Sequence, residues 1–282
     1  MKKFIATILS VVIIICSLGI TSLAADDKVF YLVLGDSIAF GSGLTNPREA
    51  CYGKIVADTN GYEYVNHSIP GHTTTNLINR LSEEAVIEAV KKADIISISI
   101  GGNDFLLSDI VDLMYNAMVK ENYEQFDAIA DGFYTNFCTI VDIINSHNPD
   151  AVILMQTLYN PQSGYIRDVY QQGADRINEC ISKYNKEHPG EIIIVDVATP
   201  LGDNLDNYAE DSIHPSTAGN EIIAQEVLNT LSEIGLGSST EMIIAEKGKD
   251  IEVSILFTII LEFYASIFHV ISVIRNFFIN LF

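Results

Sequence analysis

Residues 30–41 have the sequence FYLVLGDSIAFG, in which an apolar run passes directly into glycine, aspartate and serine. A continuous run of aromatic and branched side chains is typical of a strand that is buried on both faces of a parallel sheet. Four further runs of this kind follow along the chain. The five runs are residues 30–34, 62–68, 95–100, 152–156 and 192–197.

Helix-like segments between these runs complete an alternating pattern of strand and helix. This alternation predicts a doubly wound α/β domain over residues 27–235, with a parallel sheet covered on both faces. In such sheets ligands bind outside the carboxyl ends of the strands, so we expect the chemistry there. The helix-like segments are residues 50–58, 74–91, 110–148, 164–187 and 216–233.

The composition limits the classes of partner. The 282 residues include 37 Asp and Glu against 16 Lys and Arg, a net charge of −21, and 48% of them are apolar. This apolar fraction allows a large core and excludes wholesale disorder. Because phosphate binding needs clustered Lys and Arg, the acidic balance argues against a nucleic-acid partner. It argues equally against electrostatic attachment to an anionic membrane surface.

The first 24 residues have the features of a secretory signal peptide. Lys2 and Lys3 form a short basic region, residues 4–18 are almost wholly apolar, and Ser22-Leu23-Ala24 provides small residues for cleavage. We therefore expect residues 1–24 to be removed and the protein to be secreted or extracytoplasmic. An uncleaved N-terminal anchor is the alternative.

Three cysteines lie beyond this segment, at Cys51, Cys138 and Cys180. An odd number permits at most one disulfide, and the sequence does not show which pair would form it. No CxxC motif is present in the sequence, so it contains no sign of a zinc ribbon or a redox pair.

Residues 253–282 form a second apolar segment, after a linker over residues 236–252. Of its 30 residues 21 are apolar, and the polar ones recur every three or four positions, as one stripe on a helix. Such a helix, roughly 45 Å long, exceeds the ~30 Å hydrocarbon core of a bilayer. It could span a membrane, lie in the membrane plane, or pack on its own domain or a partner chain; its hydrophobicity favours a membrane. The stripe comprises Ser254, Thr258, Glu262, Ser266, His269, Ser272, Asn276 and Asn280.

Polar segments follow the predicted strands. Residues 35–41 follow the first strand, residues 66–72 the second and residues 101–104 the third, while residues 211–215 lie before the last helix. The fourth strand also leads into a polar loop, residues 157–161. Because parallel strands end at one edge of the sheet, we expect a hydroxyl, a glycine backbone, a side-chain amide and an Asp/His pair to lie together there.

These residue types suit acyl transfer through a serine ester. The Ser37 hydroxyl is a weak nucleophile until a base accepts its proton; His214 can be that base, and Asp211 can hold the imidazole in the required tautomer. The N–H groups of Ser37 and Gly71 and the amide of Asn103 could stabilise the oxyanion, and Gly71 lacks a side chain that would block a close approach. The motif G-x-G-x-x-G of dinucleotide-binding domains and the motif HExxH of zinc sites are both absent from the sequence.

Four blocks of the chain resemble those of the SGNH (GDSL-type) hydrolase family, in the same order and spacing, over residues 29–233. They are Gly35-Asp36-Ser37, Asn66-x-Ser68-x-x-Gly71, Gly101-x-Asn103-Asp104 and Asp211-x-x-His214-Pro215, and Ile38 stands where the family motif has Leu. The resemblance implies a flavodoxin-like three-layer α/β/α sandwich without metal or cofactor. It also implies that Ser37 is the nucleophile, His214 the base and Asp211 its orienting partner, with Gly71 and Asn103 as oxyanion donors.

The order Ser, Asp, His also occurs in α/β-hydrolases, but these require G-x-S-x-G, and the corresponding segment here ends in Ala39. The leading interpretation is a secreted serine ester hydrolase that acts on a small or polymer-bound ester and contacts a membrane through residues 253–282. An acyltransferase that uses the same residues and a catalytically idle, membrane-held binding module stay open as alternatives. The sequence does not distinguish a lipid ester from an acetylated sugar or a thioester.

Overall fold

The computed structural model describes residues 28–252 and 254–279, and the predicted signal peptide lies outside this part. Its centre is a five-stranded sheet whose neighbouring strands pair in parallel, in the order β2-β1-β3-β4-β5. This is the flavodoxin-like order, and it confirms the fold expected from the sequence. The strands are β1 (Phe30–Gly35), β2 (Glu63–Asn66), β3 (Ile95–Ser99), β4 (Val152–Gln156) and β5 (Ile193–Val195).

The central strand β1 is buried because helices cover both faces of the sheet. Leu32 and Leu34 point into the core on one face, and Tyr31 and Val33 point into the core on the other. All four side chains are 0% exposed, which is why this run is apolar at every position and not at every second one.

Helices form the two outer layers of the sandwich. The α-helices are α1 (Ser37–Phe40), α2 (Pro47–Ala50), α3 (Tyr52–Asn60), α4 (Thr74–Arg80), α5 (Glu84–Lys92), α6 (Gly102–Leu106), α7 (Ile110–Lys120), α8 (Glu124–His147), α9 (Arg167–Glu187), α10 (Ala198–Leu201), α11 (Thr217–Glu233) and α12 (Leu256–Ile279). Helices α4 to α9 and α12 contribute to the core on the Leu32 face, and α1, α3, α10 and α11 to the core on the Tyr31 face.

The structure divides two segments that the sequence predicted as single helices. Residues 74–91 form α4 and α5, and residues 110–148 form α7 and α8. At the second break Glu121 adopts a left-handed conformation with φ of +54°, which ends α7. The Asn122 side chain then accepts a hydrogen bond of 2.8 Å from the Glu124 N–H, which helps α8 to begin. Neither of the two breaks contains proline or glycine, so the sequence pattern did not indicate where these helices divide.

Residues 236–252, which we call the strap, connect α11 to α12 and contain no helix. The strap lies along the domain and does not extend freely from it. The Ile251 N–H donates a hydrogen bond of 2.9 Å to the Gly43 carbonyl, in the loop that follows α1. The Asp250 carboxylate accepts one of 2.7 Å from the Thr217 N–H, at the start of α11.

The apolar C-terminal segment forms α12, which packs on the domain. Leu261, Ala265 and Phe268 are buried in the core on the Leu32 face. Polar groups on this side of α12 also contact the domain: the His269 ring stacks on Tyr165, with their centroids 4.2 Å apart. Of the arrangements expected for this segment, the structure therefore has the one on its own domain. By length and composition alone, α12 could also cross a membrane.

Replacing Gly35 with alanine should destabilise the domain by more than about 3 kcal/mol. Gly35 has a φ of +134°, and a Cβ there would lie 2.0 Å from the Ser99 carbonyl oxygen of β3. Gly61 also has a positive φ, +69°, but open space surrounds its Cβ position. Gly61→Ala should therefore cost only the strain of a left-handed residue, about 1–2 kcal/mol. Equilibrium unfolding in urea measures both losses, and equal losses would contradict the steric argument.

Candidate active site

Ser37, the expected nucleophile, follows the end of β1. Gly35 ends the strand, and the Asp36 N–H donates a hydrogen bond of 3.1 Å to the Ser99 carbonyl, so the chain leaves the sheet beside β3. The Asp36 carboxylate caps α1 by accepting a hydrogen bond of 3.0 Å from the Ile38 N–H. Ser37 is the first residue of this short helix, so its backbone N–H has no partner within the helix.

The loop after β2 carries Gly71, whose N–H is an expected oxyanion donor. Gly71 lies at the surface, and a Cβ added there would meet no atom within 4 Å. Its φ of +79° is therefore what favours glycine at this position. Asn66 ties this loop to the serine turn. Its Oδ1 accepts a hydrogen bond of 3.0 Å from the Ser68 N–H, and its Nδ2 donates one of 2.8 Å to the Ala39 carbonyl.

The loop after β3 carries Asn103, near the start of α6. Its Nδ2 donates a hydrogen bond of 3.0 Å to the His72 carbonyl, which leaves the second amide hydrogen for a ligand. The neighbouring Asp104 accepts hydrogen bonds from the Thr74 N–H (3.1 Å) and the Thr74 hydroxyl (2.5 Å). Burial raises the pKa of Asp104 in spite of these two bonds. Together these contacts fix the loop after β3 against the residues that follow Gly71.

Asp211 and His214 form a hydrogen-bonded pair before α11. Asp211 Oδ2 lies 2.5 Å from His214 Nδ1, and Asp211 Oδ1 accepts hydrogen bonds from the N–H groups of Ile213 (3.0 Å) and His214 (3.1 Å). Burial alone would raise the pKa of Asp211, but the hydrogen bonds and the charge of His214 hold it below its ordinary value. An ionised Asp211 favours the tautomer with the proton on Nδ1, so Nε2 can act as the base.

The serine turn and the histidine loop lie against each other. A Cβ at Gly43, in the loop after α1, would be 3.5 Å from His214 Cβ. Burial raises the pKa of Asp36 to about 7, and the Ile38 N–H and the charge of His214 oppose this rise. No hydrogen bond joins the Ser37 hydroxyl to His214, both of which the structure describes. This bond commonly tightens only when substrate binds.

Sequence reasoning missed two contacts that hold the histidine loop. The Tyr159 hydroxyl donates a hydrogen bond of 2.8 Å to the Ile213 carbonyl. The Thr258 hydroxyl of α12 donates one of 2.5 Å to the carbonyl of Asp211 itself. The polar loop after β4 was a signal for Tyr159, but no local signal indicates Thr258, which lies 47 residues beyond Asp211.

The described residues contain neither a candidate metal site nor a disulfide bond. Within residues 28–252 and 254–279, no group of three or more His, Cys, Asp or Glu side chains could hold a metal ion. Cys51, Cys138 and Cys180 all carry free thiols, so the one disulfide that the sequence permitted is not formed in the structure.

Comparison with known protein families adds an independent observation. A model of the GDSL-like Lipase/Acylhydrolase family matches residues 33–222. The chain belongs to this family. It is therefore a hydrolase of the lipase and esterase type, as its four blocks predicted. This GDSL hydrolase is 22% identical over 226 residues to the protein YpmR of Bacillus subtilis (strain 168), which carries the description uncharacterized; the match covers 74% of this chain and 84% of YpmR.

Solved structures share the fold of this GDSL hydrolase. The lipase Lip_vut3 from a goat rumen metagenome matches with a TM-score of 0.61 at 21% identity, over 74% of this chain and 99% of that one. The extracellular lipase from Streptomyces rimosus has a TM-score of 0.56 at 19% identity, over 72% and 99%. The phospholipase A1 from Streptomyces albidoflavus NA297 has a TM-score of 0.56 at 18% identity, over 72% and 99%.

Ionisation of Asp36 should destabilise the domain as the pH rises. The pKa of Asp36 is about 7 in the folded GDSL hydrolase, against an ordinary value of 3.8. The folded state therefore binds this proton more tightly than the unfolded state, and stability falls between about pH 4 and pH 7. Asp36→Asn keeps the acceptor for the Ile38 N–H and should remove this fall. Each unit by which folding raises the pKa of Asp36 corresponds to about 1.4 kcal/mol. The free energy of unfolding should therefore fall by a few kcal/mol over this pH range.

Urea unfolding near pH 5 and near pH 8 measures this difference. Asp211→Asn is the control of opposite sign: because the pKa of Asp211 is lowered on folding, its contribution is lost as the pH falls. An equal pH dependence of stability in the wild type and in Asp36→Asn would contradict the assignment.

Proposed function

We propose that this GDSL hydrolase cleaves carboxylic esters through an acyl-enzyme on Ser37. The observation that carries the proposal is the 2.5 Å contact between Asp211 Oδ2 and His214 Nδ1, at the sheet edge where Ser37 begins α1. The Asp211–His214 pair orients an imidazole beside the turn that carries Ser37. Ester hydrolysis by a serine nucleophile requires this arrangement.

In the first step the Ser37 Oγ attacks the carbonyl carbon of the ester while His214 Nε2 accepts the hydroxyl proton. The carbonyl oxygen becomes an oxyanion, which hydrogen bonds from the Ser37 and Gly71 N–H groups and the Asn103 amide stabilise. The C–O bond of the ester then breaks, the alcohol leaves with the proton from His214, and the acyl group stays on Ser37. The negative charge of Asp211 stabilises the imidazolium between these events.

In the second step a water molecule gives a proton to His214 and attacks the acyl-enzyme, and the carboxylic acid leaves as Ser37 regains its proton. An alcohol in place of water would make the same residues an acyltransferase. Product analysis with a competing acceptor alcohol separates these two activities. The intact set of Ser37, Asp211 and His214 argues against an idle binding module, because a binding module needs no nucleophile with a base and an orienting carboxylate.

Ser37→Ala should lower kcat/KM for a short-chain p-nitrophenyl ester by at least ~1,000-fold, because no acyl-enzyme can then form. The assay uses residues 25–282 in a mild detergent. Ser42→Ala, in the same turn and outside the proposed machinery, is the matched control and should keep wild-type activity. Turnover that is equal in the wild type and Ser37→Ala, or absent from both, would refute the enzyme proposal.

We further propose that residues 1–24 direct export and that α12 attaches the protein to a membrane. The outward side of α12 is apolar, with Phe263, Val270 and Phe277 exposed by 62%, 55% and 63%. Exposed apolar patches of this kind mark interaction sites. Residues 25–252 contain 36 Asp and Glu against 13 Lys and Arg, a net charge of −23, so attachment would come from apolar contact and not from charge.

Replacing Phe263, Val270 and Phe277 by glutamate should move the protein from the membrane fraction to the medium, because a charged outward face no longer enters a lipid phase. The buried side of α12 stays unchanged in this variant. The control replaces three exposed apolar residues outside α12 by glutamate, namely Leu107, Leu205 and Ile243. Fractionation of expressing cells measures the distribution. Recovery of the wild type in the medium would contradict attachment, and retention of both variants would contradict the role of α12.

A further inference from the structure

The backbone of the histidine loop, residues 211–214, is held by side chains from distant parts of the chain. Three successive carbonyl groups of this loop each accept a hydrogen bond from outside it. The donors are Thr258 to Asp211 at 2.5 Å, Gln162 to Ser212, and Tyr159 to Ile213 at 2.8 Å. Tyr159 and Gln162 are 4% and 3% exposed, so their side chains are shielded from water. The conformation of the loop therefore depends on groups that the loop itself does not contain.

The loop needs this support because its backbone is strained at Ser212. Ser212 has a φ of +53°, in the left-handed region that residues other than glycine rarely adopt. A conformation of this kind persists where the surrounding structure fixes it. The same stretch of backbone holds the two side chains of the pair, because Asp211 Oδ1 accepts hydrogen bonds from the N–H groups of Ile213 and His214. A shift of the loop backbone would therefore displace the Asp211–His214 pair.

Thr258 is the one of these three donors that α12 supplies. It lies on the side of α12 that packs on the domain, since Leu261, Ala265 and Phe268 follow it at helical spacing and are all buried. The match to the family model ends at residue 222, so a segment outside the match supplies this hydrogen bond. The surroundings of the histidine loop therefore extend beyond the family match.

We propose that Thr258 is a positioning residue for the reaction at Ser37 and that α12, through this residue, is part of the catalytic unit. This inference rests on the proposed function. The Thr258 hydroxyl acts through the Asp211 carbonyl and not on the substrate: it fixes the loop that directs His214 Nε2 towards the Ser37 hydroxyl. Because proton transfer needs the base within hydrogen-bond reach of the hydroxyl, a small displacement of the loop slows the reaction without preventing the ester from binding.

The test is the kinetics of Thr258→Val with p-nitrophenyl butyrate, measured on residues 25–282 in a mild detergent. Valine has nearly the shape of threonine but no hydroxyl, so the hydrogen bond to the Asp211 carbonyl is lost while the helix keeps its packing. The value of kcat should fall by about 10- to 100-fold and KM should change by less than about twofold, because the transition state is affected and binding of the ester is not. Thr258→Ser keeps a hydroxyl and should restore kcat to within about threefold of the wild type.

The matched control is Ser266→Ala, because Ser266 also lies on α12 but donates its hydrogen bond of 2.8 Å to the Glu262 carbonyl of the same helix. It should leave kcat and KM unchanged. Urea unfolding shows whether each variant is folded, and Thr258→Ala decides should Thr258→Val fail to fold.

A kcat of Thr258→Val equal to that of the wild type, or an equal loss of kcat in Thr258→Ser, would overturn the positioning role and leave the proposed hydrolysis intact. No turnover of the ester by the wild type would overturn the proposed function itself, and the positioning role with it.

Discussion

The close approach of the end of β1 to β3 determines where Ser37, the proposed nucleophile, lies. At Gly35 the chain passes so near the Ser99 carbonyl that a Cβ has no room, and the Asp36 N–H then bonds to the same carbonyl. Because β1 is buried on both faces, the chain can leave the sheet only at its carboxyl edge. The next residue is Ser37, the first residue of a helix, whose N–H has no partner within that helix. The apolar strand β1 thus leads directly to the hydroxyl and the backbone N–H of Ser37, which lie together at the carboxyl edge of the sheet.

Side-chain oxygens then fix the other loops relative to that serine. Asn66, Asp104 and Asp211 each accept a hydrogen bond of 3.0–3.1 Å from a backbone N–H of a neighbouring loop or of their own. Asn66 is only 8% exposed and Asp211 only 4%, so an unmade bond at either residue would cost about 1–3 kcal/mol. The loops are therefore held in one arrangement before a substrate arrives. For the proposed oxyanion donors this matters, because donors that need no rearrangement at the moment of reaction are the most effective ones.

The features that were predictable from the sequence are those that depend on local pattern. The strands were recognisable because a run buried on both faces is apolar at each position, and the candidate site residues could be grouped because parallel strands end at one edge. The helix break at Glu121 and Asn122 was not recognisable from the sequence. A left-handed residue and a side-chain hydrogen bond make this break, and no proline or glycine marks it. The strap and the Thr258 contact were hidden for another reason. Lys249 meets Thr45 across 204 residues of sequence, and no periodicity reports a contact between such distant positions.

The membrane attachment proposed for α12 would make the domain and a bilayer compete for one helix, because the charged residues of α12 contact the domain. Glu262 lies against Gly164, and Arg275 pairs with Glu121 at 3.4 Å. Full insertion of α12 would break both contacts and move the two charged side chains into the hydrocarbon core. The cost is roughly 2.5–3.5 kcal/mol for each charged residue at the bilayer centre. Docking and insertion are then linked equilibria, and the linkage is reciprocal. A lipid phase that takes up the whole helix would also remove the hydrogen bond of the Thr258 hydroxyl to the Asp211 carbonyl, so insertion would weaken the packing of the histidine loop.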